Sequence, residues 1–313
     1  MSERLAPSLV PGTVLQGKYQ IVAAWPLTAG QPQGYHALHL GLGRAVTLLE
    51  EVQPAALPLA EQGRLMTRLG AEPYPEVLDS FGEAGRAYLV LPALPGAPLA
   101  GSLQGRGPLT PAEGLQLAED LLAGLGRLHS QGFLIRQLRP QDIWWSEEGK
   151  ATLPWLPAAV PVALAQSAPQ VGPYHAPEET TSAVPGPPAD LYALGAVLYT
   201  SLTGAVPPLA TERLLGATLQ PPPPGTPAAL ERLVDRLLRL RPEERPQTAA
   251  QAEAELLKEP AQTVPPVATP APSPAPEPVH LPTRPAPAQI IPPNQSQPRR
   301  AGWSGPGCWA QRC

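Results

Sequence analysis

The sequence predicts an α+β protein with two lobes and a proline-rich tail. Residues 12–99 alternate short apolar runs with turn residues, a pattern typical of strands, whereas from Thr110 onward the apolar residues take helical spacing. From Pro260 onward proline and alanine dominate without apolar periodicity. Strands that precede helices favour a small β-rich lobe at about 12–99 and a larger helical lobe at about 100–258, with a disordered tail at 259–313.

The small lobe is expected to hold strands around one short helix. Apolar runs predict the strands, and turn residues such as Gly41 and Gly43 separate them. The helix is predicted over residues 59–69, where Leu65, Met66 and Leu69 share one face. The predicted strands are residues 17–22, 35–40, 45–52, 74–81 and 86–91.

Helices dominate the larger lobe. Thr110, Pro111 and Glu113 form a helix start, with a capping hydroxyl, a proline in the first position and an acidic first turn. Residues 190–199 are apolar on every side after the first residue, which predicts a buried central helix. Two further helices are predicted over residues 228–240 and 248–258.

The composition limits the classes of partner. The net charge of −4 offers no electrostatic footprint for nucleic acid or an anionic membrane surface. No apolar run is long enough for a transmembrane helix, and the first residues lack the features of a signal peptide, so we expect a cytoplasmic protein. Cys308 and Cys313, the only cysteines, are expected to be exposed thiols in the tail.

Four stretches, in the expected order, resemble motifs of bacterial Ser/Thr protein kinases. Residues 132–157 have the layout of the catalytic loop and the strands after it, with 135–142 aligned to H-R-D-L-K-P-x-N. Residues 172–178 are similar to G-T-x-x-Y-x-A-P-E, 190–204 to D-x-Y-S-L-G-x-x-L-Y-x-L-x-T-G, and 241–246 to D-P-x-x-R-P. The resemblance implies a protein kinase-like domain over residues 12–258.

The chemical groups of that family are missing at the matching positions. Leu49 stands at the phosphate-binding lysine, Gln137 at the aspartate that serves as base, and Trp155 at the Mg²⁺-binding aspartate. Asp142, at the family's asparagine, is the only retained oxygen ligand, and one carboxylate makes a poor Mg²⁺ site. We therefore expect no catalytic residues, no metal site and no bound cofactor, with ATP and Mg²⁺ disfavoured.

The segments around these positions also depart from the family pattern. Pro26, Thr28 and Gln31 replace glycines of the phosphate-binding loop, and proline removes a backbone donor. Glu50 and Glu51 follow Leu49, and an acidic pair there is expected to repel phosphate. Glu61 or Gln62 occupies the helix position that pairs with the lysine in the family. Because that lysine is missing here, both are expected to be solvated helix residues. Trp144, Trp145 and Trp155 are expected to fill the cleft or the core.

Three charged residues are expected to have structural roles. The resemblance implies that Glu178 and Arg245 form a partly buried bidentate salt bridge between two segments of the large lobe. It also implies that Asp190 holds the backbone of the loop at residues 135–142. As the acidic residue at the start of an apolar helix, Asp190 is further stabilised by the helix dipole.

The expected function is a pseudokinase: a catalytically impaired kinase-like scaffold or regulatory module that binds a protein partner. Two alternatives remain open. One is a Ser/Thr kinase with atypical phosphoryl transfer built on Asp142 and an arginine, and the other is a module that binds ATP without turnover. In the tail, segments such as 272–278 are either ligands for an aromatic groove or a solvated linker.

Overall fold

The structure is a computed structural model that describes residues 8–26, 31–53, 55–70, 72–156, 159–165, 171–180 and 184–257. All of these residues belong to one compact unit. Several predictions fall outside the described residues; they concern Thr28, Pro157, Lys258 and the tail at 259–313, including segment 272–278, Cys308 and Cys313.

Within the described residues the small lobe is a six-stranded antiparallel sheet in the order β1-β2-β3-β4-β6-β5. Helix α1 (Leu59–Leu69) packs against β6. The strands are β1 (Val14–Leu15), β2 (Tyr19–Ala24), β3 (Gln33–His39), β4 (Arg44–Glu50), β5 (Asp79–Glu83) and β6 (Arg86–Pro92).

Both faces of this sheet are apolar. Leu49, Leu89 and Leu91 face α1 and join the main core, whereas Tyr35 and Tyr88 belong to a second cluster on the opposite face. Side chains of a strand point alternately to its two faces, so each strand supplies both clusters.

The strand predicted at residues 74–81 starts later, at Asp79. Pro75 lacks the N–H group that a sheet ladder needs, which disfavours a strand over the first residues of the predicted segment.

The larger lobe is built around helix α4 (Pro187–Thr203), which is buried on nearly every side and packs against α3 and α6. The predicted start of α3 is confirmed: Glu113 donates its N–H to Thr110 Oγ1 at 3.3 Å, and the Glu113 carboxylate accepts the Thr110 N–H at 2.8 Å. The remaining helices are α2 (Leu99–Arg106), α3 (Pro111–Ser130), α5 (Ala210–Leu214), α6 (Ala228–Leu237) and α7 (Ala249–Leu257). The predicted α+β architecture with two lobes is confirmed.

Short strands flank the loop at residues 135–142 of the large lobe. β7 (Ala97–Pro98), β9 (Trp144–Trp145) and β10 (Ala151–Thr152) form one small sheet, and β8 (Phe133–Leu134) pairs with β11 (Val160–Pro161). The loop between β8 and β9 carries a 3-10 turn at Pro140–Asp142. In the part of the chain that the structure describes, no helix has the length and apolar character needed to span a membrane.

Candidate functional site

The candidate site is the cleft between the two lobes, where three side chains of the small lobe contact the segments around Asp142 and Trp155. Gln31 reaches Asp142, Trp25 packs near Trp155, and Gln62 binds the backbone just after Trp155. Side chains of the small lobe thus reach Asp142 and Trp155, two of the large-lobe positions that the sequence singled out.

Leu49 lies in the core and offers no polar group to the cleft. It is fully buried in β4, opposite Gly34 on one side and Leu89 on the other, and shares one apolar cluster with Trp155. Leu49 therefore contributes packing between the sheet and the main core.

The prediction that Glu50 and Glu51 form a phosphate-repelling pair is wrong for Glu50. Its carboxylate lies on the opposite face of the sheet, where it accepts hydrogen bonds from Tyr35 Oη and Arg86 Nη1, both at 2.6 Å. Glu51 Oε2 accepts the backbone N–H of Leu59 at 3.3 Å, at the start of α1. Strand alternation explains the result, since neighbouring residues of a strand face opposite sides.

Gln62 is buried, and the prediction that it is a solvated helix residue is wrong. Its Oε1 accepts the backbone N–H of Leu156 at 2.8 Å, and its Nε2 donates to the Leu57 carbonyl at 2.9 Å. The signal was present in the sequence, because Gln62 precedes Leu65 and Met66 by three and four residues and so shares their helix face. Helix α1 is thus fastened to the segment that follows Trp155.

The loop at residues 135–142 is held by Asp190, as the resemblance implies. The buried Asp190 carboxylate accepts the N–H groups of Ile135 at 2.9 Å and Arg136 at 2.7 Å, and it lies 2.8 Å from His129 Nε2. Arg136 has a φ of +60°, a conformation that costs a non-glycine residue about 1–2 kcal/mol. The bonds to Asp190 stabilise this turn, which places Gln137 directly after it, half-buried.

The Asp142 carboxylate is buried and fully engaged. Arg139 donates to both of its oxygens, from Nε at 2.8 Å and from Nη2 at 3.1 Å. Gln31 Nε2 adds a third bond, at 2.9 Å to Oδ1, and also reaches the Gln141 carbonyl at 2.9 Å. The negative charge is therefore compensated by an arginine, and both oxygens are already used as acceptors.

This donor set does not fit Mg²⁺, which prefers several oxygen ligands in near-octahedral geometry. Asp142 is already bound to Arg139, and the buried Trp155 offers no oxygen ligand from its side chain. Among the described residues, no group of three or more His, Cys, Asp or Glu side chains is arranged to hold a metal ion.

Three tryptophans occupy the cleft. The ring centroid of Trp25 lies 4.5 Å from that of Trp144 and 6.4 Å from that of Trp155. Gly34 makes room for this cluster, because a Cβ atom at that position would lie 1.8 Å from Trp25 Cε3. Sequence reasoning placed Trp144 and Trp155 in the cleft or core but missed Trp25, whose signal was a bulky aromatic residue in a segment where glycines are expected.

The predicted bridge between Glu178 and Arg245 is present in the large lobe. Arg245 Nη1 lies 2.9 Å from Glu178 Oε1, and Arg245 Nη2 lies 2.5 Å from Glu178 Oε2. The guanidinium is completely buried, donates to the Pro188 carbonyl and lies over the ring of Tyr192 at 5.2 Å. The bidentate pair joins the 3-10 turn at Pro177–Thr180 to the segment before α7, and the bond to Pro188 adds the start of α4.

A second buried acidic residue follows this bridge. Burial raises the pKa of Glu179 to about 7, aided by the nearby Asp190, although the Ala176 N–H and Arg136 act in the opposite direction. Arg136 Nε lies 3.3 Å from Glu179 Oε1, and the Ala176 N–H donates to Oε2 at 3.0 Å. The contact between Arg136 and Glu179 therefore ties the 135–142 loop to residues 176–179.

Burial, with the charges of Arg139 and Arg136, lowers the pKa of His175.

The chain matches one protein-family model and several curated proteins. The model of the protein kinase domain family matches residues 64–257. Serine/threonine-protein kinase PknH of Mycobacterium tuberculosis is 30% identical over 202 residues, covering 60% of this chain and 32% of the relative. PknD of the same species is 32% identical over 190 residues, covering 56% and 29%. The DNA damage-responsive serine/threonine-protein kinase RqkA of Deinococcus radiodurans is 33% identical over 222 residues, covering 64% and 32%. The chain thus spans about a third of the length of these curated relatives.

Proposed function

Because the chain belongs to the protein kinase domain family, we propose that it is a pseudokinase, a member that binds a protein partner and does not transfer phosphoryl groups. The observation that carries this proposal is the state of Asp142. Its two oxygens are engaged by Arg139 and Gln31, so the one retained metal-ligand position is occupied by protein donors.

The chemistry of phosphoryl transfer supports the same reading. The reaction needs positive charge on the phosphates, carboxylates that hold the metal and a residue that orients the attacking hydroxyl. Leu49, Trp155 and Gln137 stand at those three positions. Loss of one electrostatic group commonly lowers the rate by about 10²–10³. The effects of several such losses on the rate are not additive, but each loss lowers the rate.

The aromatic cluster argues against a nucleotide in the cleft. Trp25 covers Trp144 and packs near Trp155, so a base would have to displace an indole that already has an aromatic partner. Gln31 adds a hydrogen bond between the lobes at the same place. An ATP molecule would therefore compete with contacts inside the protein.

Binding of a protein partner is proposed because the framework of the fold is kept while the chemical groups are not. The Glu178–Arg245 bridge, the Asp190 contacts and the buried α4 all maintain the large lobe. Such a framework preserves a folded surface, which is the property that a scaffold or regulatory module uses. A cytoplasmic location is part of the same proposal.

Residual Ser/Thr kinase activity is the second candidate, since the relatives carry that name. Asp142 is the observation that favours it, because a carboxylate released from Arg139 would again be an oxygen ligand. The third alternative is ATP binding without turnover.

Thermal denaturation with ATP, in the presence and absence of Mg²⁺, tests the proposal. A nucleotide at a concentration of 100 Kd would stabilise the fold by roughly 2.7 kcal/mol. We expect no shift of the melting temperature up to millimolar nucleotide. A shift that saturates without Mg²⁺ would favour ATP binding without turnover, and one that requires Mg²⁺ would favour a kinase.

A further inference from the structure

The loop between α5 and α6 carries four consecutive prolines, Pro221 to Pro224. The proline ring fixes φ near −65°, and a residue that precedes proline is pushed toward extended ψ values. Pro221, Pro222 and Pro223 are each followed by another proline, so both restrictions apply to them. Together the two restrictions favour polyproline II geometry. The run spans about 9 Å, at roughly 3.1 Å per residue.

The run is fixed at both ends. Before it, the Gln220 N–H donates to Tyr199 Oη at 2.9 Å, and Leu219 packs against the main core. After it, Thr226 donates to the Pro223 carbonyl from its N–H at 3.2 Å and from Oγ1 at 2.7 Å. Gly225, with a φ of +89°, completes a turn that has proline and glycine in the positions a type II turn requires.

The prolines are accessible. Pro221 and Pro224 are exposed, and Pro222 and Pro223 are half-buried. Two shallow cavities of about 360 and 200 Å³ adjoin the run, and Leu202, Thr203, Gln220 and Pro221 line both. An incoming side chain can therefore rest beside the prolines on either side.

The chemistry of the run selects the partner. Proline has no N–H group, so Pro221 to Pro224 offer only ring surfaces and carbonyl acceptors. A matching surface must supply flat apolar faces together with donors at their edges, which is what Trp and Tyr side chains provide. We propose that this loop is a docking site for a protein domain whose aromatic-lined groove recognises polyproline II segments.

Charge beside the run refines this partner. Glu231 and Asp235 line the cavity next to Pro221 and Pro222. Asp235 is paired with Arg239 at 2.6 Å, whereas no cation in the described ranges forms a salt bridge with Glu231. A basic residue on the rim of the groove would complement Glu231 and steer the encounter.

Rigidity favours this loop over a free proline-rich segment. Ordering a mobile ligand on binding reduces the affinity, and a ligand that already has its bound conformation avoids most of that cost. The anchors at Tyr199 and Thr226 provide such preorganisation. The inference names a class of partner for the proposed binding function, and its test does not involve the cleft.

The test uses the full chain and three isolated reader domains as probes: an SH3, a WW and an EVH1 domain. Binding of each is measured by titration calorimetry to the parent, to Pro222→Ala/Pro223→Ala and to the matched tail variant Pro274→Ala/Pro276→Ala. We expect at least one domain to bind the parent and the tail variant equally, and to bind the loop variant about tenfold more weakly. Circular dichroism melting verifies that the loop variant is folded.

A second variant keeps the prolines and changes only the neighbouring charge. Glu231→Lys places a positive charge at an exposed position in the first turn of α6 and is expected to weaken binding to a reader with a basic rim. Glu243→Lys, at an exposed position outside the loop, is expected to leave binding unchanged. The proposal is overturned if none of the three domains binds the parent, or if only the tail variant loses binding. Binding that survives in the loop variant also overturns it.

Discussion

Gln31 Nε2 lies 2.9 Å from Asp142 Oδ1, so a side chain of the small lobe is hydrogen-bonded to a loop of the large lobe. The same nitrogen lies 2.9 Å from the Gln141 carbonyl oxygen. A sequence position where the family has glycine thus carries a side chain that crosses the cleft. The contact joins the two lobes across the cleft.

The link between the lobes is expected to stabilise the fold. Gln31→Ala removes two hydrogen bonds, one of them to a carboxylate, and a bond to a charged group contributes about 1.5–3 kcal/mol. Urea denaturation should show that the free energy of unfolding falls by an amount in this range or slightly below it, because Arg139 still neutralises Asp142. The matched control is the exposed Gln53→Ala, with a change within about 0.5 kcal/mol. Equal stability of the two variants would mean that the link contributes nothing.

Displacement of Trp25 from the cleft should be costly. A methyl group in Gly34→Ala would meet the Trp25 ring at 1.8 Å, so the indole must move. Overpacking of this kind costs about 1–3 kcal/mol. The control is Gly101→Ala in α2, where the added atom meets nothing within 4 Å and where alanine is favoured in a helix. Chemical denaturation, monitored by tryptophan fluorescence, compares the stability of the two variants. A Gly34→Ala variant as stable as the parent would contradict the close packing of Trp25 against Gly34.

The Glu178–Arg245 bridge is expected to be essential for folding. Removing one partner leaves the other charge buried, which costs on the order of 3–5 kcal/mol. Glu178→Ala and Arg245→Ala should each unfold at much lower denaturant, and the double variant should lose less than the sum. The exposed Asp235–Arg239 pair is the control, and removing one of its partners should lower the stability by about 1 kcal/mol or less. Simple additivity at Glu178 and Arg245 would show that the pair does not interact.

Glu179 should make stability depend on pH. Its pKa is raised in the folded state to about 7, from an ordinary value of 4.5, so between these values the folded protein binds more protons than the unfolded chain. The contribution of Glu179 to stability is fully present below pH 4.5 and is lost as the pH rises through about 7. In Glu179→Gln the slope of unfolding free energy against pH should be flatter over this window than in the parent. Glu243→Gln, an exposed control, should keep the parent slope.

The architecture was predictable where one physical signal dominates. Residues 191–199 are apolar on every side, which predicts a buried helix, and α4 contains this stretch. Thr110 and Glu113 supply both halves of a capping box, which fixes the start of α3. In each of these cases the information lies within one short stretch of the chain.

The contacts in the cleft were not predictable in the same way, because they depend on residues far apart in sequence. The 2.9 Å bond from Gln31 to Asp142 spans 111 positions, and the Gln62 bond to the Leu156 backbone spans 94. The place of Trp25 depends on the missing side chain of Gly34 on the neighbouring strand. Apolar periodicity indicates which face is buried but does not identify the partner across a cleft.

A phosphotransfer assay on the full chain tests directly whether the protein transfers phosphoryl groups. The parent, Asp142→Ala and a sample without protein are incubated with ATP labelled on the γ-phosphate, with Mg²⁺ or Mn²⁺ and a generic acceptor protein. We expect equal, background incorporation in all three, because the side chains of Leu49, Gln137 and Trp155 carry no charge and Asp142 is bound to Arg139. Incorporation by the parent that disappears in Asp142→Ala would contradict this expectation and would show that the cleft opens to a metal and a nucleotide.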